Sequence, residues 1–245
     1  MRISVCIATH NGELYIFAQL QSILSQLCAT DEVIISDDSS TDDTIKIVKA
    51  FADSRIKIFE NNSFKSPVNN FENALKFANG EYIFLSDQDD IWLPDRVEKM
   101  LAQLKKSDLV VSDCKIVDSN LKEIEKDSFM SLYKSRQGFI NNIYRNSYIG
   151  CCMAFNRKIL NLALPFPANL PMHDWWIGLI CEVFGKSVFL DEQLLLYRRH
   201  QGNVTNFIKN RDDSLLVKVW WRIIISYNLI TRYSFERMRK LNLNE

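Results

Sequence analysis

The sequence contains few of the residues that interrupt regular structure, with 7 glycines and 5 prolines among 245 residues. It has neither a low-complexity segment nor an internal repeat, which excludes fibrous and solenoid architectures. Its 30 basic and 30 acidic side chains cancel, so we expect no nucleic-acid partner. No apolar run is long enough to span a bilayer without charges. The chain enters a strand at once, and we therefore expect no signal peptide.

Cysteine pairs at metal-binding or redox spacing are also missing. The six cysteines lack Cys-x-x-Cys spacing and stand at positions 6, 28, 114, 151, 152 and 181. Most of them lie in apolar runs, which is typical of buried free thiols in a reducing cytoplasm. With 47% hydrophobic residues, a chain of this length can bury the core of one α/β domain with a C-terminal appendage.

Short apolar runs alternate with helical patterns through the first part of the chain. The runs predict strands at Ile3–Ala8, Glu32–Ser36, Arg55–Phe59 and Tyr82–Leu85. This β-α-β-α-β order predicts a parallel sheet with right-handed crossovers and a ligand site at its C-terminal edge. Further strands are expected at 109–114, 150–155 and 187–197, and further helices at 138–145 and from Met172 onward.

An acidic cluster follows the strand at Tyr82–Leu85. It consists of Asp87, Asp89 and Asp90, and Pro94 follows at what we interpret as the first turn of a helix. Carboxylates this close repel one another, and a divalent cation relieves the repulsion. Oxygen ligands on a tight turn suit Mg²⁺ or Mn²⁺. The alternative is a solvated acidic loop, because short acidic motifs occur often by chance.

The stretch Ser-Asp-Gln-Asp-Asp-Ile-Trp-Leu-Pro, residues 86–94, resembles the Asp-x-Asp segment of family 2 glycosyltransferases. It is most similar to the rhamnosyltransferase-like branch, and the resemblance covers roughly residues 1–206. It implies the GT-A fold, a Rossmann-like three-layer α/β/α sandwich with a mainly parallel central sheet. It also implies that Asp89, with Asp87 or Asp90, holds a divalent ion on the diphosphate of a nucleotide sugar.

The first two strand ends resemble the nucleotide-binding half of this family. The first ends in Ala8-Thr9-His10-Asn11 and the second in Asp37-Asp38-Ser39-Ser40. The resemblance implies that the first turn contacts the nucleoside and that Asp38 accepts a hydrogen bond from the pyrimidine N3–H. Asp87 and Gln88 complete the expected nucleotide-binding set. Asp37 and Ser40 can equally be helix-capping residues, and Ser40 or Thr41 can cap the next helix.

Two later motifs resemble the same branch. In His173-Asp174-Trp175-Trp176, the resemblance implies that Asp174 is the general base. Trp175 and Trp176 can contact the acceptor or fill the core. In Tyr197-Arg198-Arg199-His200, followed by Asn203-Val204, His200 can complete the metal shell, although a structural histidine is as probable. Arg198 and Arg199 can hold the diphosphate.

The chain changes character from Leu215 on, where apolar and aromatic residues are interspersed with Lys218 and Arg222. We expect a transferase domain over residues 1–210 and an amphipathic helical tail over 211–245. The tail can lie in a membrane interface, or pack on the domain or at a dimer interface.

These observations predict an inverting glycosyltransferase. The expected reaction moves L-rhamnose from dTDP-rhamnose to a bacterial cell-surface polysaccharide or lipid-linked acceptor, with a UDP-sugar as the alternative donor. The expected place is the cytoplasm, or the inner face of the plasma membrane. Two remote alternatives are a metal-dependent phosphohydrolase and an inactive nucleotide-sugar-binding module. The first would usually carry an Asp after its first strand, and residues 3–12 contain none.

Overall fold

The computed structural model describes residues 2–200 and 214–242. The strands are β1 (Ile3–Thr9), β2 (Glu32–Asp37), β3 (Ile56–Phe59), β4 (Tyr82–Ser86), β5 (Ile91–Trp92), β6 (Leu109–Val117), β7 (Met153–Asn156) and β8 (Ser187–Arg198). The helices are α1 (Ile16–Leu24), α2 (Thr44–Ala50), α3 (Pro67–Lys76), α4 (Arg96–Leu104), α5 (Phe129–Tyr133), α6 (Phe139–Tyr144), α7 (Arg157–Ala163), α8 (His173–Phe184) and α9 (Leu215–Asn242).

One mixed sheet organises the described part of the chain, in the order β3-β2-β1-β4-β7-β6-β8-β5. Strands β3, β2, β1 and β4 are parallel neighbours, β7 runs against both β4 and β6, and β5 runs against β8. The predicted mainly parallel α/β sheet is confirmed. Strands β2 and β4 are buried along their whole length, which explains their continuous apolar runs.

The register of the parallel strands brings their C-terminal ends to one edge. Thr9 at the end of β1 pairs with Asp37 at the end of β2, and Ile7 pairs with Ser86 at the end of β4. The polar turns that follow these strands therefore emerge side by side. This is the edge where open α/β sheets bind ligands.

Local structure differs from the sequence prediction in four places. Gly150–Cys152 form a 3₁₀ turn, and only Met153–Asn156 form the strand predicted from residue 150. Helices α5 and α7 were not predicted, because each is short and polar segments surround it. Helix α2 begins at Thr44, too late to be capped by Ser40 or Thr41. Pro94 precedes α4, whose first residue is Arg96.

Helix α9 packs on the domain with one side only. Ile225 and Leu229 are buried. Arg232 anchors the helix by donating to the carbonyl oxygens of Leu162 (2.8 Å) and Leu164 (2.7 Å). No helix in residues 2–200 or 214–242, α9 included, has the length and hydropathy needed to cross a bilayer. The domain boundary expected after residue 210 lies outside the described residues, as does the Asn203-Val204 pair.

A buried carboxylate joins the N-terminal ends of three central strands. Glu32, at the start of β2, accepts hydrogen bonds from Ser4 Oγ (2.6 Å), the Asn79 N–H (2.7 Å), Lys57 Nζ (2.7 Å) and Arg2 Nη2 (2.8 Å). Burial alone would raise the pKa of Glu32, but these hydrogen bonds together lower it to about 2. Lys57 is half exposed, so water screens its interaction with Glu32 more than it screens the hydrogen bonds from Ser4 and Asn79.

We expect Glu32→Gln to lower the free energy of unfolding by about 1–3 kcal/mol, because the amide cannot accept all four charge-assisted bonds. The stabilisation by Glu32 should be present above its unfolded pKa of about 4.5 and should be lost as the pH falls toward 2. Urea unfolding at several pH values measures both effects. The matched control is Glu60→Gln, which breaks a more exposed pair with Lys49. An equal effect of the two substitutions would contradict this role.

Candidate active site

A cavity of about 470 Å³ opens at the C-terminal ends of β1, β2 and β4, a volume in the range of ligand pockets. It is lined by residues from seven segments, namely Ala8, Thr9, His10, Asp38, Lys65, Ser66, Pro67, Asn70, Phe71, Asp87, Gln88, Asp89, Ile149, Gly150, Met172, His173, Asp174 and Tyr197. Most of the predicted nucleotide, metal and catalytic residues therefore share one cavity wall.

The turn after β1 is fixed to the acidic loop by one side chain. The Gln88 amide accepts from the His10 N–H (2.9 Å) and donates to the His10 carbonyl (3.0 Å). Thr9 is buried, and its hydroxyl donates to Asp37 (2.9 Å). Asn11 does not line the cavity, and its side chain accepts instead from the Thr41 N–H (2.9 Å). The backbone at Thr9 and His10 is thus held rigidly at the cavity edge.

The two acids after β2 have different environments. Asp37 is buried and accepts from the Ser40 N–H (2.8 Å) and hydroxyl (2.5 Å). These hydrogen bonds close the turn after β2, well before α2 begins at Thr44. Asp38 lines the cavity, and its carboxylate accepts from the N–H groups of Phe64 (2.6 Å) and Ser66 (3.3 Å). It therefore also orders the segment between β3 and α3.

The acidic loop between β4 and β5 distributes its carboxylates among different partners. Asp89 Oδ2 lies 2.8 Å from His200 Nε2. Asp90 is fully buried, and its Oδ1 accepts from the Arg198 N–H (2.9 Å). Burial, reinforced by the charges on Asp89 and Asp174, raises the pKa of Asp87 to about 8. Burial, reinforced by the charges on Asp89 and Asp87, raises the pKa of Asp90.

This donor set fits a divalent cation. Oxygen atoms of Asp87 and Asp90 and the sulfur of Cys151 lie within 4.8 Å of one another, and Asp90 Oδ2 is buried without a hydrogen-bond partner. A cation would remove the carboxylate repulsion and the desolvation penalty together. Carboxylate oxygens are the donors that suit Mg²⁺ and Mn²⁺, whereas the sulfur of Cys151 suits softer metals.

Asp174 stands at the first turn of α8 and lines the same cavity as Asp87 and Asp89. Its side chain is almost fully buried and accepts from the N–H groups of Gly150 (3.2 Å) and Trp175 (2.5 Å). Burial raises the pKa of Asp174 to about 6, although these two hydrogen bonds oppose the rise. Gly150 permits this close packing, because a Cβ there would lie 2.9 Å from His173 Nε2.

Trp175 and Trp176 lie in the core and do not line the cavity. Trp176 is fully buried and donates to the carbonyl of Ala163 (2.9 Å), while Trp175 donates to the carbonyl of Asn142 (2.6 Å). Their packing favours the core interpretation, and we do not propose either as an acceptor contact.

Arg198 and Arg199 also lie outside the cavity wall. The buried Arg198 guanidinium donates to the carbonyls of Asp89 (2.7 Å) and Ser119 (2.7 Å) and lies over the ring of Tyr15. The Arg199 guanidinium lies 5.8 Å from the ring centre of Tyr197. These contacts favour a structural role for Arg198, which holds the acidic loop in place.

The sequence analysis did not select several residues that line the cavity. His173 is buried against Phe71 with ring centres 4.1 Å apart, and neither of its nitrogens has a hydrogen-bond partner. Lys65 is exposed at the cavity, and Asn70 donates to the Thr9 carbonyl (3.1 Å). No motif marks Lys65 or Asn70, whereas His173 precedes Asp174 directly and could have been found there.

An α/β sheet with a nucleotide-type turn and an acidic loop at one edge defines a class of nucleotide-dependent enzymes. The comparison with known proteins is more specific. Residues 4–162 match the family described as Glycosyl transferase family 2, and the chain belongs to that family. It is therefore a transferase acting on sugars.

Curated relatives and solved structures are similar over most of the chain. A UDP-Glc:alpha-D-GlcNAc-diphosphoundecaprenol beta-1,3-glucosyltransferase, WfgD of Escherichia coli, is 30% identical over 71% of this chain and 68% of its own length. The dTDP-rhamnosyl transferase RfbG of Shigella flexneri is 29% identical over 80% of this chain and 72% of its own length.

The solved structure of S. aureus TarS 1–349 in complex with UDP-GlcNAc has a TM-score of 0.67 at 23% identity. It matches over 83% of this chain, which spans only 60% of that TarS chain. The expected GT-A fold is confirmed by this likeness.

We expect Arg198→Lys to lower the free energy of unfolding by about 1–3 kcal/mol, because an ammonium cannot reproduce both hydrogen bonds of the guanidinium. Urea unfolding measures the loss. Arg199→Lys is the control, because this neighbour is only partly buried, and it should change stability little. If Arg198→Lys instead leaves stability unchanged and weakens nucleotide binding, the diphosphate role is the better interpretation.

Proposed function

We propose that the protein transfers a sugar from a nucleotide-sugar donor, with inversion at the anomeric carbon, to a bacterial surface polysaccharide or its lipid-linked precursor. One observation carries the proposal. A single cavity is lined by the turn after β1, by Asp38, by the acidic loop and by Asp174. These are the parts that a single displacement needs, namely a nucleotide site, a stabiliser of the leaving group and a base.

For the donor, dTDP-rhamnose is our first choice and a UDP-sugar the alternative. Relatives named for each kind of donor support this pair, as RfbG and WfgD do. Asp38 would accept from N3–H of thymine or uracil, which cytosine lacks. Its carboxylate already accepts two backbone hydrogen bonds, but an ionised carboxylate has about four lone-pair sites.

We propose that Asp89, with Asp87 and His200, holds Mg²⁺ or Mn²⁺. The contact between Asp89 and His200 and the clustered oxygens of Asp87 and Asp90 support this set. When bound, the cation would stabilise negative charge on the departing diphosphate. A related precedent is the solved mannosyltransferase PcManGT of Pyrobaculum calidifontis with GDP-Man and Mn²⁺, at 19% identity and a TM-score of 0.61.

We propose Asp174 as the general base. Its carboxylate shares the cavity with Asp87 and Asp89 but belongs to another segment of the fold. Burial raises its pKa to about 6, which suits proton transfer near neutral pH. The hydrogen bonds from Gly150 and Trp175 orient its two oxygens.

We further propose that residues 1–210 form the transferase domain, with residues 211–245 as a tail, and that the protein works in the cytoplasm. All six cysteines are free thiols, as predicted, which supports a reducing compartment. The name of WfgD includes a diphosphoundecaprenol-linked acceptor, which supports a lipid-linked acceptor for this chain.

Nucleotide binding can be tested without the acceptor. We expect dTDP and UDP, but not CDP, to raise the melting temperature when Mn²⁺ is present, because a ligand of the folded state stabilises it by mass action. Asp89→Asn should weaken this effect without lowering the melting temperature of the free protein. An equal rise in melting temperature with CDP would contradict the role of Asp38. A rise that is the same with and without Mn²⁺ would contradict the metal site.

Asp174→Asn should lower kcat by about a hundred- to ten-thousandfold, because an amide cannot take the acceptor proton. Nucleotide affinity should remain close to that of the parent protein. The control Glu182→Gln lies on the same helix outside the cavity wall and should keep most of the turnover. Near-parental kcat in Asp174→Asn would exclude this residue as the base.

The pH dependence gives an independent test of the base. Only the ionised carboxylate accepts a proton, so kcat should fall as the pH drops through the Asp174 pKa of about 6. Turnover should reach a plateau above that value. The residual activity of Asp174→Asn should lack this acidic limb. If kcat of the variant still falls at acidic pH, a group other than Asp174 is responsible for the fall.

A further inference from the structure

Helix α9 presents a second apolar face, directed away from the domain. While Ile225 and Leu229 are buried on the inner side, Trp220 is 60% exposed. The outer residues follow helical spacing of three and four and comprise Leu216, Val219, Trp220, Ile223, Tyr227, Ile230, Met238 and Leu241, all of them exposed. At 1.5 Å per residue this stripe runs for roughly 40 Å. Soluble surfaces rarely leave so long an apolar strip uncovered.

The apolar surface continues onto helix α6, which packs against α9. Ile140 and Tyr144 on α6 are 81% and 75% exposed. Arg222 of α9 donates to the Tyr144 carbonyl and lies over its ring. The outer stripe of α9 and these two α6 residues are called the α6–α9 surface below.

Positive charge is concentrated around the α6–α9 surface, although the whole chain is neutral. Residues 134–147 and 214–242 contain a single acid, Glu236. The same segments contain nine basic residues, Lys134, Arg136, Arg145, Lys218, Arg222, Arg232, Arg237, Arg239 and Lys240. An apolar strip with tryptophan and tyrosine and a cationic border matches the interface of an anionic bilayer.

We propose that the α6–α9 surface binds the surface of an anionic membrane, with the outer stripe of α9 lying in the headgroup region. A second copy of the chain is a poorer occupant, because pairing two such surfaces would bring their cations together. The helix does not act as a detached anchor. Arg232 ties it to the carbonyls of Leu162, Leu164 and Pro165, so the whole domain would be oriented on the bilayer.

This inference deepens the proposed function, because a lipid-linked acceptor would lie in the same bilayer. Pro165 begins the segment that leads to Asp174 at the start of α8. Because α8 itself packs against α9, membrane binding would hold the helix that carries Asp174 close to the bilayer. Vesicle binding needs neither donor nor turnover, so the proposal of a membrane-binding surface and the proposal of transferase activity can be refuted independently.

The experiment is flotation of the full chain with vesicles of phosphatidylcholine, with and without phosphatidylglycerol. We expect binding to the mixed vesicles, weaker binding to phosphatidylcholine alone, and loss of binding as salt is raised. The combined variant Trp220→Glu, Ile223→Glu and Tyr227→Glu should reduce partitioning at least about tenfold. Arg145→Glu with Arg237→Glu should act similarly on the mixed vesicles only.

The combined variant Leu14→Glu, Leu121→Glu and Ile124→Glu is the matched control, since it adds the same charge at three exposed apolar sites elsewhere in the fold. It should bind vesicles like the parent protein. Absence of binding to phosphatidylglycerol vesicles, or equal binding by the triple variant, would overturn the proposal. A dimer seen by light scattering that the triple variant dissociates, without vesicle binding by the parent, would assign the surface to a second copy instead.

Discussion

The structure depends on holding several carboxylates close together at the end of a buried strand. Asp87, Asp89 and Asp90 follow β4, and burial and the neighbouring carboxylates raise the pKa of Asp87 and Asp90. The fold answers by securing the loop from both sides. Gln88 joins it to the turn after β1, and Arg198 joins it to the end of β8. An acidic loop without these ties would swing toward solvent, where each carboxylate is better hydrated.

The same ties connect distant parts of the chain into one cavity wall. β5 consists of only two residues, yet it pairs with β8 and so delivers the end of β8 to the acidic loop. His200 thereby comes within 2.8 Å of Asp89. In the same cavity, the 3₁₀ turn at Gly150–Cys152 packs closely against the start of α8, and the Gly150 N–H donates to Asp174. Short irregular elements thus position the side chains, while the long strands supply stability.

The described fold builds the cavity and the exposed apolar surface from different elements. The cavity lies at the C-terminal edge of the sheet, while many of the exposed apolar residues gather on α6 and α9. Arg232 links α9 to the segment before α8, and the first turn of α8 carries Asp174 of the cavity lining. The two regions are therefore joined through α8 and the segment that precedes it.

The sequence by itself determined the order of the elements and the position of the acidic loop. Parallel strands that are buried on both faces have continuous apolar sequences, and the polar turns that follow them are local features. The strand Tyr82–Ser86 and the acids after it could therefore be found from the sequence alone. The structural role of Arg198 could not, because its motif suggested contact with the diphosphate. For Trp175 and Trp176 the sequence left acceptor contact and core packing both open. The partners of Arg198, Trp175 and Trp176 include the carbonyl oxygens of Asp89, Asn142 and Ala163, respectively.

Only the tertiary structure decided these roles and the membership of the cavity wall. It also decided which side of α9 is packed, because apolar residues lie both on the buried side, as Ile225 and Leu229 do, and on the exposed side, as Trp220 and Ile223 do. Periodicity reports that a residue is apolar or charged. Which atom pairs with a polar or charged side chain depends on segments that are far away in sequence and become neighbours only when the sheet is complete.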